Sequence, residues 1–325
     1  MRERCLNEYN CRISKGYMKI AVLGATSHIA KGLIYSFNKK ENSELFLFAR
    51  SIDRLQEFLQ SIECGEGFHL KGFDELNKER YDVIINCIGI SSASDFKERV
   101  SSYFRLTEQF DNLALDYINE HPDTLYINFS SGAAYGTDFS VPADESTFSK
   151  WDINHISEAD YYGIAKLNSE AKHRALKDLN IVDLRVFGYF SRFIDLESRF
   201  LLTEIISCIR DGKEFITSPD NIIRDYIHPR DIFALIERCI ERKIINDVFD
   251  AYSLKPVTKF EILDYFNAEY GLKYKVKDDI KISAITGTKD NYYSINRKAK
   301  DIGYEPKFTS MDSIMEESVT ILESI

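Results

Sequence analysis

"KIAVLGATSHIAKGLIYSFNK", Lys19 to Lys39, opens the regular part of the chain. Its first half is a short apolar run ending at Gly24. Its second half, from Ser27, carries helical periodicity. Apolar runs of that length bounded by glycine read as buried strands, so the stretch is one strand–turn–helix unit. Working outward, the unit recurs. "ELFLFAR" (44–50) reads as a strand and "IDRLQEFLQSIE" (52–63) as a helix. A weaker strand near "FHLKGF" (68–73) precedes the strong strand "YDVIINCIG" (81–89). A long helix is expected from about Asp95 to Glu120, then strand "TLYINFSS" (124–131), helix "ADYYGIAKLNSEAKHRALKD" (159–178) and strand "IVDLRVF" (181–187). Continuous apolar strands alternating with helices are the pattern of a parallel sheet covered on both faces. The fold class expected is α/β, with a doubly wound parallel sheet.

After Phe187 the alternation loosens and aromatic residues cluster in "FGYFSRFIDLESRF". This marks a smaller lobe, while "DIFALIERCIER" and "DVFDAYS" read as a helix and strand returning to the sheet. The expected division is a main domain over residues 18–187 with about 229–252, and a substrate lobe over 188–228 and 253–325. The polar leader, residues 1–17, lacks the apolar centre of a secretory signal. It reads as a disordered extension, or as a stretch ahead of a start at Met18.

The 325 residues are 44% hydrophobic and 29% charged, which predicts a packed core rather than disorder. A formal net charge of −10, from 42 basic and 52 acidic side chains, argues against a nucleic-acid or anionic-membrane surface. No apolar run reaches the roughly 18–20 residues that span a bilayer. Cys5, Cys11, Cys64, Cys87, Cys208 and Cys239 are scattered with no C-x-x-C pair, so neither a zinc site nor a disulfide framework is indicated. Reduced thiols in a cytoplasmic protein fit best.

"GATSHIA" (24–30) lies between the first strand and the first helix. Small residues there let the backbone approach a pyrophosphate, and the helix N-terminus attracts its charge. Gly24, Thr26, Ser27, His28 and Ile29 are the candidates for that contact, although Ser27 and Ala30 stand where further glycines are usual. The end of the second strand reads the cofactor. An acid there bonds a ribose 2′-hydroxyl, whereas an arginine accommodates a 2′-phosphate. The chain has Ala49 and Arg50, then Ser51 and Arg54, which favours NADP over NAD. Cys87, Ile88 and Gly89, in "NCIG", end the fourth strand beneath the cofactor's central riboses.

Tyr162 and Lys166, in "DYYGIAKLNSE", fall on one helix face. Together with "GATSHIA", "NFSSGAAYG", "LRVFG", "RDYIHPRD" and "NRKAKDIGYEP", taken in order from Lys19 onward, they resemble the extended short-chain dehydrogenase/reductases of the NAD-dependent epimerase/dehydratase family, the nucleotide-sugar-modifying branch. The resemblance implies a Rossmann-type sheet and a smaller C-terminal substrate lobe. It makes Ser131 the residue that contacts the reacting oxygen, Tyr162 the general acid/base and Lys166 its tuner and a ribose ligand. An ammonium one turn away and an oxidised nicotinamide both favour a phenolate, whose free pKa is near 10. Tyr161 is the competing tyrosine, off the face of Lys166. The resemblance also places Arg224 at a nucleotide diphosphate, with Arg192 and Arg199 as weaker candidates, and makes His228 and Asp225 structural. No metal is implied, and relatives often pair as homodimers through two helices that include the Tyr-Lys helix.

Dehydratases of that family typically carry Thr-Asp-Glu near the catalytic serine. Here Gly132, Ala133 and Ala134 follow Ser131, which disfavours elimination of water. Arg50 leans toward a dissociable NADPH. The expected activity is therefore reduction of a nucleotide-activated 4-keto-6-deoxyhexose, as in deoxysugar biosynthesis for surface polysaccharides. A nucleotide-sugar epimerase with the same residues is the alternative, and a non-catalytic NADP sensor the third. The long loop between Ser131 and Tyr162, with Trp151 and His155, is placed to cap the sugar.

Overall fold

Seven strands pair side by side, all parallel, in the order β3-β2-β1-β4-β5-β6-β9. The structure is a computed structural model and describes residues 17–40, 43–65, 67–89, 102–242, 244–278 and 289–323. The strands are β1 (Met18–Leu23), β2 (Ser43–Phe48), β3 (Phe68–Lys71), β4 (Val83–Asn86), β5 (Leu125–Ser131), β6 (Ile181–Val186) and β9 (Asn246–Ala251). The order reverses between β1 and β4, which opens a crevice at the carboxyl ends of those strands. Side chains alternate across the sheet with period two. Ile20 and Val22 of β1 face one core and Ala21 and Leu23 the other, all fully buried. Burial on both faces is why these strands read as unbroken apolar runs.

Helices α1 (His28–Asn38), α2 (Ile52–Ser61) and α6 (Pro229–Ile240) cover one face. Helices α3 (Tyr103–Glu120) and α4 (Glu158–Ala175) cover the other. The helix expected from about Asp95 is described from Tyr103, and residues 90–101 lie outside the described residues, as does 1–16 of the leader. Helix α4 ends at Ala175 rather than Asp178, where the Leu176 amide turns back to His173 O. Cys64, Cys87, Cys208 and Cys239 are free thiols, and no helix among the described residues is long and apolar enough to cross a membrane.

A second core gathers Phe190, Leu202, Ile206, Phe215, Leu263 and Phe266. It lies among α5 (Leu201–Asp211), α7 (Lys259–Tyr270), α8 (Ser310–Leu322) and two small sheets. One joins β7 (Phe215–Thr217) to β11 (Tyr274–Val276); the other has the order β10-β8-β12, from β10 (Val257–Thr258), β8 (Ile223–Arg224) and β12 (Asn291–Tyr292). β8 and β12 pair in parallel with Tyr292 opposite Arg224. That register brings the late segment of the chain to the crevice of the large sheet.

Candidate active site

The loop after β1 is forced close to the end of β4. Gly24 takes φ +75°, which glycine adopts without a Cβ penalty. A Cβ there would lie 2.7 Å from Ile88 Cγ1 and 3.2 Å from the Ile88 nitrogen. The Ser27 amide donates to Gly24 O at 2.8 Å, and Ser27 Oγ caps α1 by accepting from the Ala30 amide at 3.4 Å. The amides of His28 and Ile29 find no acceptor among the described residues. A bare, positively polarised helix end beside a glycine cradle fits a dinucleotide pyrophosphate. The His28 ring is committed elsewhere: Nε2 lies 2.8 Å from Ser191 Oγ and the ring stands edge-on to Tyr189. Burial drives its pKa down to about 4, so it is neutral. His28 therefore offers a backbone amide, and Thr26 stands half-buried at the turn.

At the end of β2, Ala49 is buried and Arg50 exposed, with no ion pair to Arg50 among the described residues. Ser51 caps α2, accepting from the Arg54 amide at 3.5 Å. No carboxylate ends the strand. Cys87 is buried under the crevice, and burial pushes its thiol well up despite the nearby Lys166 ammonium. The Ile88 amide donates to Asn86 Oδ1 at 3.0 Å, and Gly89 is exposed.

Ser131 ends β5 and starts the tight turn Gly132–Tyr135. Helix α4 crosses this turn at Gly163, where a Cβ would lie 2.4 Å from Ala133 O and 2.8 Å from the Trp151 ring. The glycine after Tyr162 thus permits the approach that sets the tyrosine beside the serine. Lys166, one turn on, is only 4% exposed. Its Nζ donates to Phe129 O at 2.8 Å and lies 6.0 Å from the Tyr162 ring centre. The Tyr162 ring packs edge-on against Tyr103, while Tyr161 turns to Phe104. The fold brings Ser131, Tyr162 and Lys166 together at the carboxyl edge of β4 and β5.

Two residues that sequence reasoning missed complete the site. Tyr292 Oη lies 3.1 Å from Ser131 Oγ, and the Lys289 ammonium lies 4.1 Å from the centre of the Tyr292 ring. Arg224 Nη1 donates to Ile223 O at 2.8 Å and to Lys289 O at 2.5 Å. Burial, then the Arg224 charge, bring Lys289 down to about 7. Neither cation has a carboxylate partner among the described residues, whereas Arg185 is forked onto Glu170 and Arg192 onto Glu317. Charges drawn out of water are normally paired, so the half-buried Arg224 and Lys289 fit an anionic group brought by a ligand.

The other arginine candidates stand apart. Arg192 is neutralised by Glu317, at 2.8 and 2.9 Å, and its guanidinium lies over Tyr35 of α1. The pair and the Tyr35 contact tie α8 to α1. Arg199 is exposed at the end of the turn Leu196–Ser198. His228 caps α6 through Nδ1, and Asp225 receives the Ser253 amide and the Ser310 hydroxyl, so both hold the lobe together. In the loop before α4, Trp151 packs on Gly163, while His155 is exposed beside Asp152.

Residues 20–254 match the NAD dependent epimerase/dehydratase family. No curated protein matches the chain. Among solved structures, a Stenotrophomonas maltophila UDP-glucose-4-epimerase with NAD and formylated UDP-arabinopyranose is similar at TM-score 0.78 and 14% identity, covering 95% of this chain and 98% of that one. The Bacillus cereus UDP-glucuronic acid 4-epimerase with UDP-glucuronic acid and NAD gives 0.75 and 18%, over 95% and 100%. The Bacillus anthracis dTDP-glucose 4,6-dehydratase with NAD gives 0.74 and 16%, over 94% and 97%. At these identities the likeness is one of fold. The sequence match spans the glycine cradle, the serine-ended strand and the Tyr-Lys helix alike, and the chain belongs to the NAD dependent epimerase/dehydratase family.

Proposed function

We propose that this chain reduces a keto group on a nucleotide-diphosphate sugar, with NADPH as cofactor and a 4-keto-6-deoxyhexose as the sugar. The observation that carries the reading is the joint placement of Ser131, Tyr162 and Lys166 beside two half-buried cations, Arg224 and Lys289, that have no carboxylate partner among the described residues. When bound at the Gly24 cradle, a nicotinamide supplies the hydride. The chain's own residues handle the oxygen. Ser131 holds it by hydrogen bond, and Tyr162 delivers the proton from the same side. Lys166, buried beneath Tyr162, has N–H donors left for ribose hydroxyls beyond the bond to Phe129 O. Proton delivery by a positioned side chain contributes typically ~10²–10⁴-fold. Arg224 and Lys289 anchor the diphosphate end.

The uncharged Gly132, Ala133 and Ala134 after Ser131 support reduction over elimination of water. Arg50, exposed where an acid would meet a 2′-hydroxyl, supports NADP. A second reading has a specific observation behind it: the solved relatives hold NAD, and two of the three are epimerases. On that reading the same residues oxidise and re-reduce one carbon within a turnover. Pairing of two copies through α3 and α4 is part of the proposal, supported by the exposed Phe104 on that outer face.

Deuterium-labelled NADPH separates the readings. A reductase moves the label to the sugar carbon and consumes cofactor mole for mole. An epimerase changes the configuration with no net loss of cofactor. A changed configuration with no net loss of cofactor, or no change in any of a panel of UDP- and dTDP-linked keto and hydroxy sugars, would overturn the reductase proposal.

A further inference from the structure

Among the described residues, Ser131 Oγ meets the Ala133 amide at 3.2 Å and the Tyr292 phenol at 3.1 Å, and that amide also faces the phenol oxygen. A hydroxyl has one proton to give and two lone pairs to fill. The amide only donates, so it takes one lone pair. The Tyr292 contact runs either way in principle, and the surroundings decide it. Burial holds the Tyr292 phenol well above its ordinary range, so it keeps its proton at neutral pH. That proton has no acceptor other than Ser131 among the described residues. Were Ser131 to donate instead, a buried O–H would be stranded, at a penalty of roughly 1–3 kcal/mol. Tyr292 therefore donates, both lone pairs of Ser131 are filled, and the serine hydrogen is left for a third partner.

The phenol is held in place for this. The Asn291 amide donates to Phe139 O at 2.9 Å, and the Ala143 amide to Tyr293 O at 3.0 Å, zipping the segment onto the loop that follows the Ser131 turn. The ring packs against Phe139 and Phe187, with centres at 4.7 and 5.2 Å. The residue comes from the small lobe, yet only 7% of it is exposed.

We propose that Tyr292 is a positioning residue of the reaction: by donating to Ser131 it aims the serine's only proton at the substrate oxygen that Tyr162 protonates. The inference rests on the reading of Ser131 given above and deepens it. It makes the small lobe part of the catalytic apparatus, beyond any role in binding the nucleotide.

The test is a double-mutant cycle of Tyr292→Phe and Ser131→Ala, read by thermal unfolding and by kinetics. Tyr292→Phe keeps the ring and removes the hydroxyl. In unfolding, Ser131→Ala strands the phenol, so adding Tyr292→Phe should restore part of the lost Tm. Strictly additive losses would overturn the proposal, whatever the activity. In kinetics, on whichever UDP- or dTDP-linked keto sugar the wild type reduces, Tyr292→Phe should lower kcat roughly tenfold, the equivalent of one hydrogen bond, with KM within about twofold. It should lower nothing further in the Ser131→Ala background. Undiminished kcat, or a loss confined to KM, would overturn it. If Tm is restored but the wild type turns over no sugar, the functional reading falls and takes the catalytic half of this inference with it. Turnover with additive losses sinks the inference alone.

Discussion

Gly163 is the residue on which the geometry of Ser131 and Tyr162 turns. Its missing side chain lets α4 lie against the Ala133 carbonyl, and any Cβ would sit 2.4 Å from that backbone oxygen. A backbone atom cannot swing aside as a side chain can. Gly163→Ala should therefore push α4 off the turn, lowering stability by about 1–3 kcal/mol, the usual range for overpacking. Turnover should fall further than that, because Tyr162 moves with the helix; calorimetry and kcat on the same sample check both. At this scale the sequence was partly legible. Tyr162, Lys166 and Ser131 are readable because helix spacing and a strand end fix them locally. Tyr292 was not, because its partner is 161 positions away and its two-residue strand has no periodicity to announce it.

Between the elements lies a polar ladder that tests the fold by titration. Asn86, Asn128 and Asp183 stand opposite one another on β4, β5 and β6, all facing α3 and α4. Asp183 accepts from Asn128 at 2.8 Å and meets His173 Nδ1 at 2.9 Å, while His173 Nε2 meets Asp111 of α3 at 2.8 Å. Burial opposes the charged ring, but hydrogen bonds and charges from Asp111 and Asp183 outweigh it and hold His173 up at about 9. A pKa raised above the unfolded 6.5 gives stability that is full below that value and lost as pH rises through about 9. Denaturant unfolding should accordingly show stability falling between neutral pH and about pH 10, with His173→Gln flattening that slope. An unchanged slope in the variant would contradict the assignment. Strand and helix types were legible here from apolar runs and 3.6-residue periodicity. The ladder had a signal too: the apolar runs "VIIN", "YIN" and "IVD" each close on a polar residue at the same register, which a strand-by-strand reading passes over.

Across the whole molecule, the crevice is closed by the small lobe. Tyr292 reaches Ser131, and Arg224 and Lys289 stand behind it. A diphosphate sugar bound there would meet both lobes, so binding should raise Tm. Lys289, at about 7, is charged below that pH and neutral above it. The Tm rise given by a UDP-hexose, whose diphosphate does not titrate in the window, should be larger at about pH 6 than at about pH 8.5. Lys289→Met should remove the difference. The loosened alternation after Phe187 falls where the chain enters the second hydrophobic core, at Phe190. The contact between the lobes was not, because it is set by tertiary register between β8 and β12.

The central claim is that Tyr162 gives a proton to a sugar oxygen while the cofactor is oxidised. Its most direct test is nicotinamide absorbance over time, with NADPH, a panel of nucleotide 4-keto-6-deoxysugars, and wild type beside Tyr162→Phe. Mole-for-mole loss of NADPH with one sugar is expected, with a rate lower by ~10²–10⁴-fold in the variant at unchanged cofactor affinity. Equal rates in the two proteins would contradict it.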